Sequence, residues 1–160
     1  MSQDNGLKGI LTWPLIIAAI VVVMRVVTEQ SGVPDLINNF ISGVALHFLI
    51  VPLYIAFRIA KSGTTRPYAT LFKLVGIYVV LVRAMLLPVY WLGRIYQWPQ
   101  PRFFGLWGDD VSPFVGFVVV PVLTAVSWIV GSLIVGGGLG SIVIAVLRRS
   151  GSKAAEFEGR

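Results

Sequence analysis

The sequence predicts an all-α integral membrane protein with four membrane-spanning helices. Hydrophobic residues make up 56% of the chain and charged residues only 12%, about half the charged fraction of a typical soluble domain. A helix crosses the bilayer hydrocarbon, about 30 Å thick, with about 20 residues at about 1.5 Å each. Four stretches almost free of charge are long enough to do so: Ile10–Val27, Leu36–Ala60, Ala69–Leu92 and Phe114–Leu147.

The first stretch, Ile10–Val27, is predicted to remain as a helix. Trp13 and Pro14 stand at its start. Proline is tolerated in the first turn of a helix because that N–H has no helical partner, and tryptophan prefers the headgroup level. No small-residue cleavage site follows the apolar run, so a secretory signal peptide is the poorer interpretation.

The connections are predicted to be short, with one exception. The polar loop Thr28–Asp35 and the basic loop Lys61–Tyr68 each contain glycine and proline, which interrupt helices. The third connection, Gly93–Pro113, is longer and rich in tryptophan, tyrosine and phenylalanine. Such rings favour the membrane interface, so this segment is predicted to be an aromatic outer loop.

The fourth stretch is too long for one crossing. Residues 114–147 would extend about 51 Å as a single helix, more than the hydrocarbon thickness. We expect either Pro121 to break it or the glycine run at 136–138 to divide it in two. Residues 1–147 are then one transmembrane domain, and residues 148–160 a flexible polar cytoplasmic tail.

The distribution of the 13 basic residues predicts the orientation. With four crossings and the N-terminus inside, nine basic residues lie on the inner side. Only Arg25, Arg94 and Arg102 lie outside, and Arg83 is buried in a helix. This asymmetry follows the positive-inside rule. Both termini are therefore predicted to be cytoplasmic, and the default location is a prokaryotic plasma (inner) membrane.

Composition also excludes several functions. The net charge of +6 is spread beside the membrane segments, where lipid headgroups explain it, so nucleic-acid binding is not expected. The absence of cysteine excludes thiol catalysis, disulfides and cysteine-based metal sites. No nucleophile–base–acid set and no metal-ligand spacing occur. The sequence therefore predicts a protein that is not an enzyme and has no metal site.

Four polar residues form the first candidate site. Arg83 lies roughly 20 Å from the inner end of its segment and Arg25 roughly 22 Å from the inner end of its own, so both lie in the outer half of the bilayer. Asn39 lies near the outer end of segment two, and Arg94 is about 20° from Arg83 around their helix. Buried arginines usually face protein, water or a ligand. Either the group binds an anion, a lipid phosphate or a partner's carboxylate, or it is structural, with Arg83 bonded to Asn39 or to helix-end carbonyls.

His47, the only histidine, is a second candidate. It lies roughly 16 Å from the outer end of segment two, close to mid-membrane, one turn after Gly43. A small residue there leaves space for a flat macrocycle, so an axial haem or chlorin ligand is one hypothesis. The other is a structural hydrogen bond to a neighbouring helix.

Ser132, Gly136 and Gly140 recur every four residues. This small-residue pattern predicts close helix packing, with a partner in this chain, in a second copy or in another protein.

Three functions remain open from the sequence. The first is a non-catalytic structural or accessory subunit of a larger membrane complex, with lipid, other subunits or a second copy as partners. The second is a small homo-oligomeric transporter or anion channel that uses Arg83 and Arg25. The third is a haem- or chlorin-binding electron-transfer or pigment protein that uses His47; no cofactor is required by the other two.

Overall fold

The computed structural model describes residues 9–33, 43–99 and 111–158, with the backbone alone for 151–158. These residues form four long helices. They are α1 (Thr12–Gln30), α2 (Gly43–Lys61), α3 (Pro67–Ile95) and α4 (Val115–Ser150), whose last segment continues to Glu158. Each is long and apolar enough to cross a membrane, and no strand occurs in the described ranges. The predictions of an all-helical chain and of four potential spans are confirmed.

Helix α4 is continuous, so the expectation of a break at Pro121 or at the glycine run is wrong. One π-helical turn, Val115–Val119, comes just before Pro121, and another, Ser132–Gly136, ends at the first glycine of the run. Its 36-residue span is about 54 Å long, more than the hydrocarbon of a bilayer is thick. A tilted helix, or one that extends into the headgroups, accommodates that length. The backbone also remains helical past Leu147, as far as Glu158.

Two of the π-helical turns lie just before a proline. Proline has no N–H to donate and clashes with the carbonyl four residues earlier, and a wider turn upstream relieves this clash. Leu46–Ile50 comes before Pro52, and Val115–Val119 before Pro121. The Phe117 carbonyl, which Pro121 cannot bond, accepts a hydrogen bond of 3.0 Å from Trp91 Nε1. Inside a membrane such a replacement donor matters because water is absent.

The small residues of α4 bring it into close contact with α2 and α3. A Cβ atom added to Gly136 would lie 2.5 Å from Cγ of Pro52 and 3.3 Å from the Phe48 carbonyl oxygen. At Gly140 it would lie 2.9 Å from Leu71 and 3.3 Å from Ala56. The glycines therefore let the α4 backbone approach neighbouring helices of the same chain.

The core lies between α2, α3 and α4, and α1 packs on the side of α3 and against the start of α2. The largest core side chains are fully buried and almost all apolar: Ile55, Ile59, Leu71, Val75, Tyr78, Val79, Val82 and Ile144. The outward faces of the helices expose many large apolar side chains. This distribution suits a bundle whose outer surface is covered by lipid.

We predict that Gly136→Ala destabilises the bundle by about 1–3 kcal/mol, the usual cost of overpacking a tight contact. The rigid ring of Pro52 is only 2.5 Å from the new methyl group and cannot rotate away. The matched control is Gly138→Ala, where nothing lies within 4 Å of the added Cβ. Thermal unfolding in detergent should show a lower Tm for the first variant and an unchanged or higher Tm for the second. Equal Tm values would contradict the contact.

Candidate functional site

A cavity of about 270 Å³ lies between the helices at one end of the bundle. Its lining comes from the second halves of α1 and α3 and the first parts of α2 and α4. These parts meet at one end because helices that follow one another in the chain run in opposite directions. The lining residues are Val21, Val22, Arg25, Gly43, His47, Arg83, Leu86, Tyr90, Thr124 and Trp128. The cavity therefore combines two guanidinium groups with aromatic, hydroxyl and aliphatic side chains.

Arg83 is the most buried charge of the site. It is only 7% exposed, and its guanidinium carbon lies 4.0 Å from the centroid of the Trp128 ring. A guanidinium attracted to an aromatic face keeps its edge N–H groups for other partners. Its Nε is buried without a hydrogen-bond partner, and Arg83 forms no ion pair within the described residues. Its positive charge is therefore not neutralised by that part of the chain.

Arg25 is the second charge at the cavity and differs in its pairing. Its Nε donates to Oε1 of Glu29, one turn further along α1, at 2.9 Å. The Arg25 side chain is 25% exposed, whereas Glu29 is only 6% exposed. The single described carboxylate near the cavity is therefore paired with Arg25, and the described residues of the site keep an excess of positive charge.

His47 joins α2 to α3 beside the cavity. Its Nδ1 lies 2.9 Å from the hydroxyl of Tyr78, and both residues are buried. On the other side of the ring, a Cβ added to Gly43 would lie 2.5 Å from His47 Nε2. The imidazole ring itself therefore fills the space beside Gly43 that was predicted to be open to a macrocycle. Haem or chlorin binding stays a prediction, and it would require the ring to turn away from Gly43.

The structure divides the group of arginines that the sequence put together. Arg25 and Arg83 share the cavity with His47, but Arg94 does not line it. Arg94 Nη2 donates to the Val111 carbonyl at 3.1 Å, and its Nε lies 2.6 Å from the position of a Cβ on Gly116. Arg94 thus packs against the beginning of α4, and Asn39 lies outside the described residues.

Four residues that line or support the cavity were not predicted from the sequence. Trp128 and Tyr78 hold Arg83 and His47 in place, and Tyr90 and Thr124 complete the lining. One signal was present: tryptophan prefers the interface, so Trp128 deep inside an apolar segment indicates a local partner. Tyr78 carries the same kind of signal, because a buried phenol usually has a hydrogen-bond partner.

Other polar features fall outside the cavity. Ser132 is fully buried, and its hydroxyl has no hydrogen-bond partner in the part of the chain that is described. No group of three or more histidine, aspartate or glutamate side chains that could hold a metal ion occurs among the described residues. Among the described residues, the buried side chain that carries a charge is Arg83, and it lines the cavity.

Comparison of the chain with protein-family models, with characterised proteins and with solved structures gives no match.

Proposed function

We propose that this chain is a membrane protein that binds a small anion inside its helical bundle, as a transporter does when its site is open to one side. The observation that carries the proposal is Arg83, more than nine-tenths buried, beside a cavity and without an acidic partner in the described residues. Placing an arginine at the middle of a membrane helix costs roughly 2.5–3.5 kcal/mol. An anion in the cavity offsets that cost.

The position of the cavity favours a carrier over an open channel. Between the His47–Tyr78 pair and the end with the 62–66 loop, the bundle is filled by buried apolar side chains, among them Ile55, Val75 and Val79. A bound anion would therefore have to wait for the helices to rearrange before it could leave toward the other end. Carriers bind near mid-membrane and expose the site alternately to each side.

The charges at the two ends support the orientation proposed from the sequence. The end with the 62–66 loop carries six basic residues whose side chains are described: Arg58, Lys61, Arg66, Lys73, Arg148 and Arg149. The cavity end carries Arg25, Arg83 and Arg94. By the positive-inside rule the 62–66 loop is cytoplasmic, and the cavity is entered from the opposite side of a plasma membrane.

We predict opposite labelling of two single-cysteine variants, which are easily made because the chain has no cysteine. Ser31→Cys follows α1 at the cavity end, and Thr65→Cys lies in the exposed loop after α2. In intact bacterial cells a membrane-impermeant maleimide should label Ser31→Cys at once and Thr65→Cys only after permeabilisation. The reverse pattern would contradict the orientation, and equal labelling of both in intact cells would contradict two membrane sides.

We predict that Arg83→Gln weakens anion binding about 10- to 100-fold, because a hydrogen bond to a charged group contributes about 1.5–3 kcal/mol. The probe is iodide, which binds as an anion and quenches tryptophan fluorescence, so that Trp128 in the cavity reports its presence. The protein is purified in detergent, and titrations are made at constant ionic strength with and without a Trp128→Phe background.

The matched control is Arg149→Gln, which removes the same charge from an exposed position at the other end. It should leave the titration unchanged. Circular dichroism and size exclusion establish that each variant is folded. Saturable quenching that survives Arg83→Gln, or that is the same in the Trp128→Phe background, would contradict the site. Transport is then tested with the protein reconstituted in vesicles. If the wild-type protein binds iodide but gives no iodide flux across the vesicle membrane, it is a binding protein and not a carrier.

A second candidate, also open from the sequence, is a structural or accessory subunit of a larger complex. The exposed face of α4 favours it, since Ile134 is 69% and Ile142 61% exposed. Lipid covers such a face equally well, and Gly136 and Gly140, which could have met a foreign helix, lie against α2 and α3. We expect partner proteins to co-purify from the native membrane in mild detergent if this function is correct. A monodisperse one-component species would contradict it.

A further inference from the structure

We infer that the anion is a short-chain monocarboxylate, whose carboxylate binds Arg83 and whose hydrocarbon part lies against the aliphatic lining. The inference rests on the proposed function and adds the class of ligand. It depends on three features of the cavity: the contact of Arg83 with Trp128, the aliphatic side chains in the lining, and the volume.

The first feature is the stacking of Arg83 on Trp128. The guanidinium carbon lies 4.0 Å from the ring centroid, so the indole covers one face of the group. Its Nε is buried without a hydrogen-bond partner, so the described residues leave this donor of the planar guanidinium unused. A planar fork of donors matches the two oxygens of a carboxylate, which it binds through two parallel hydrogen bonds. A spherical halide does not use this geometry.

The second feature is the aliphatic part of the lining. Val21 and Val22 on α1 and Leu86 on α3 line the same small space as the two arginines. Phosphate and sulfate present oxygens on every side, and oxygens placed against aliphatic side chains lose their hydrogen bonds to water without replacement. A monocarboxylate has oxygens at one end only, so its alkyl part can occupy the apolar side of the cavity.

The third feature is the size of the cavity. Its volume of about 270 Å³ lies just below the range of about 300–1,000 Å³ that is typical of sites for drug-sized ligands. A carboxylate with a few carbon atoms fits, and a long acyl chain does not. This separates a free short-chain acid from a fatty acid supplied by the bilayer, although both present the same head group.

The test is a chain-length series measured on the purified protein in nanodiscs by isothermal titration calorimetry. Sodium acetate, propionate, butyrate, hexanoate and octanoate are compared with chloride and phosphate at one pH and one ionic strength. We expect affinity to rise about fourfold per added methylene, from about 0.8 kcal/mol per buried CH₂. The rise should stop once the cavity is filled, and chloride and phosphate should bind at least tenfold more weakly than the best acid.

Two variants make the result specific. Arg83→Lys keeps the positive charge and loses the planar fork, so it should weaken butyrate at least tenfold and chloride much less. Val22→Thr keeps the shape of the side chain and replaces one methyl group by a hydroxyl, so it should flatten the dependence of affinity on chain length. Exposed Arg149→Gln should change neither.

The outcomes separate this inference from the proposed function. Anions that bind in an Arg83-dependent way with no effect of chain length would overturn the carboxylate class and leave the anion site. Phosphate binding more tightly than every acid would also overturn it. Affinity that continues to rise through octanoate would assign the site to a lipid-derived fatty acid instead. If no anion binds and the variants equal the wild type, both the inference and the proposed function fail.

Discussion

The burial of the Arg83 charge is the constraint on which the site depends. A guanidinium inside a membrane helix must be solvated by protein, water or a ligand, because lipid cannot do it. The chain provides the face of Trp128 at 4.0 Å and a cavity beside it, but no described carboxylate. Among the described residues the nearby acid is Glu29, which is paired with Arg25. Among the described residues the charge of Arg83 is therefore unbalanced, and this excess is the basis of the proposal that the cavity binds an anion.

Other polar groups of the bundle have hydrogen-bond partners on neighbouring helices. The Phe117 carbonyl freed by Pro121 accepts the Trp91 indole N–H, and His47 and Tyr78 bond to each other across α2 and α3. Both contacts join different helices. In a membrane they supply specificity where apolar packing alone discriminates little between helix surfaces, since lipid tails are as apolar as the side chains. Trp128 is held in a helix that the glycines bring close to α2.

Much of the fold could be predicted because hydrophobic length is a local property. The four spans, their approximate bounds and the small-residue face all follow from runs of residue types along the chain. The continuous path of α4 could not be predicted in this way, because Pro121 and the glycine run each indicate a helix break when they are considered without their neighbours in space. The π-helical turns that keep the helix continuous require neighbours, such as the Trp91 donor at Phe117, which lie far away in sequence.

At the site, the residue types along the chain were enough to identify the side chains that are too polar for an apolar helix: Arg25, Arg83 and His47. The helical rise also predicted that Arg25 and Arg83 lie in the outer half of the bilayer and that His47 lies close to mid-membrane. The packing of the helices was needed to show that these three residues surround one cavity, whereas Arg94 contacts the start of α4. The reason is rotational: composition sets how deep a residue lies in the membrane, but the direction in which it points depends on how the helices pack around one another.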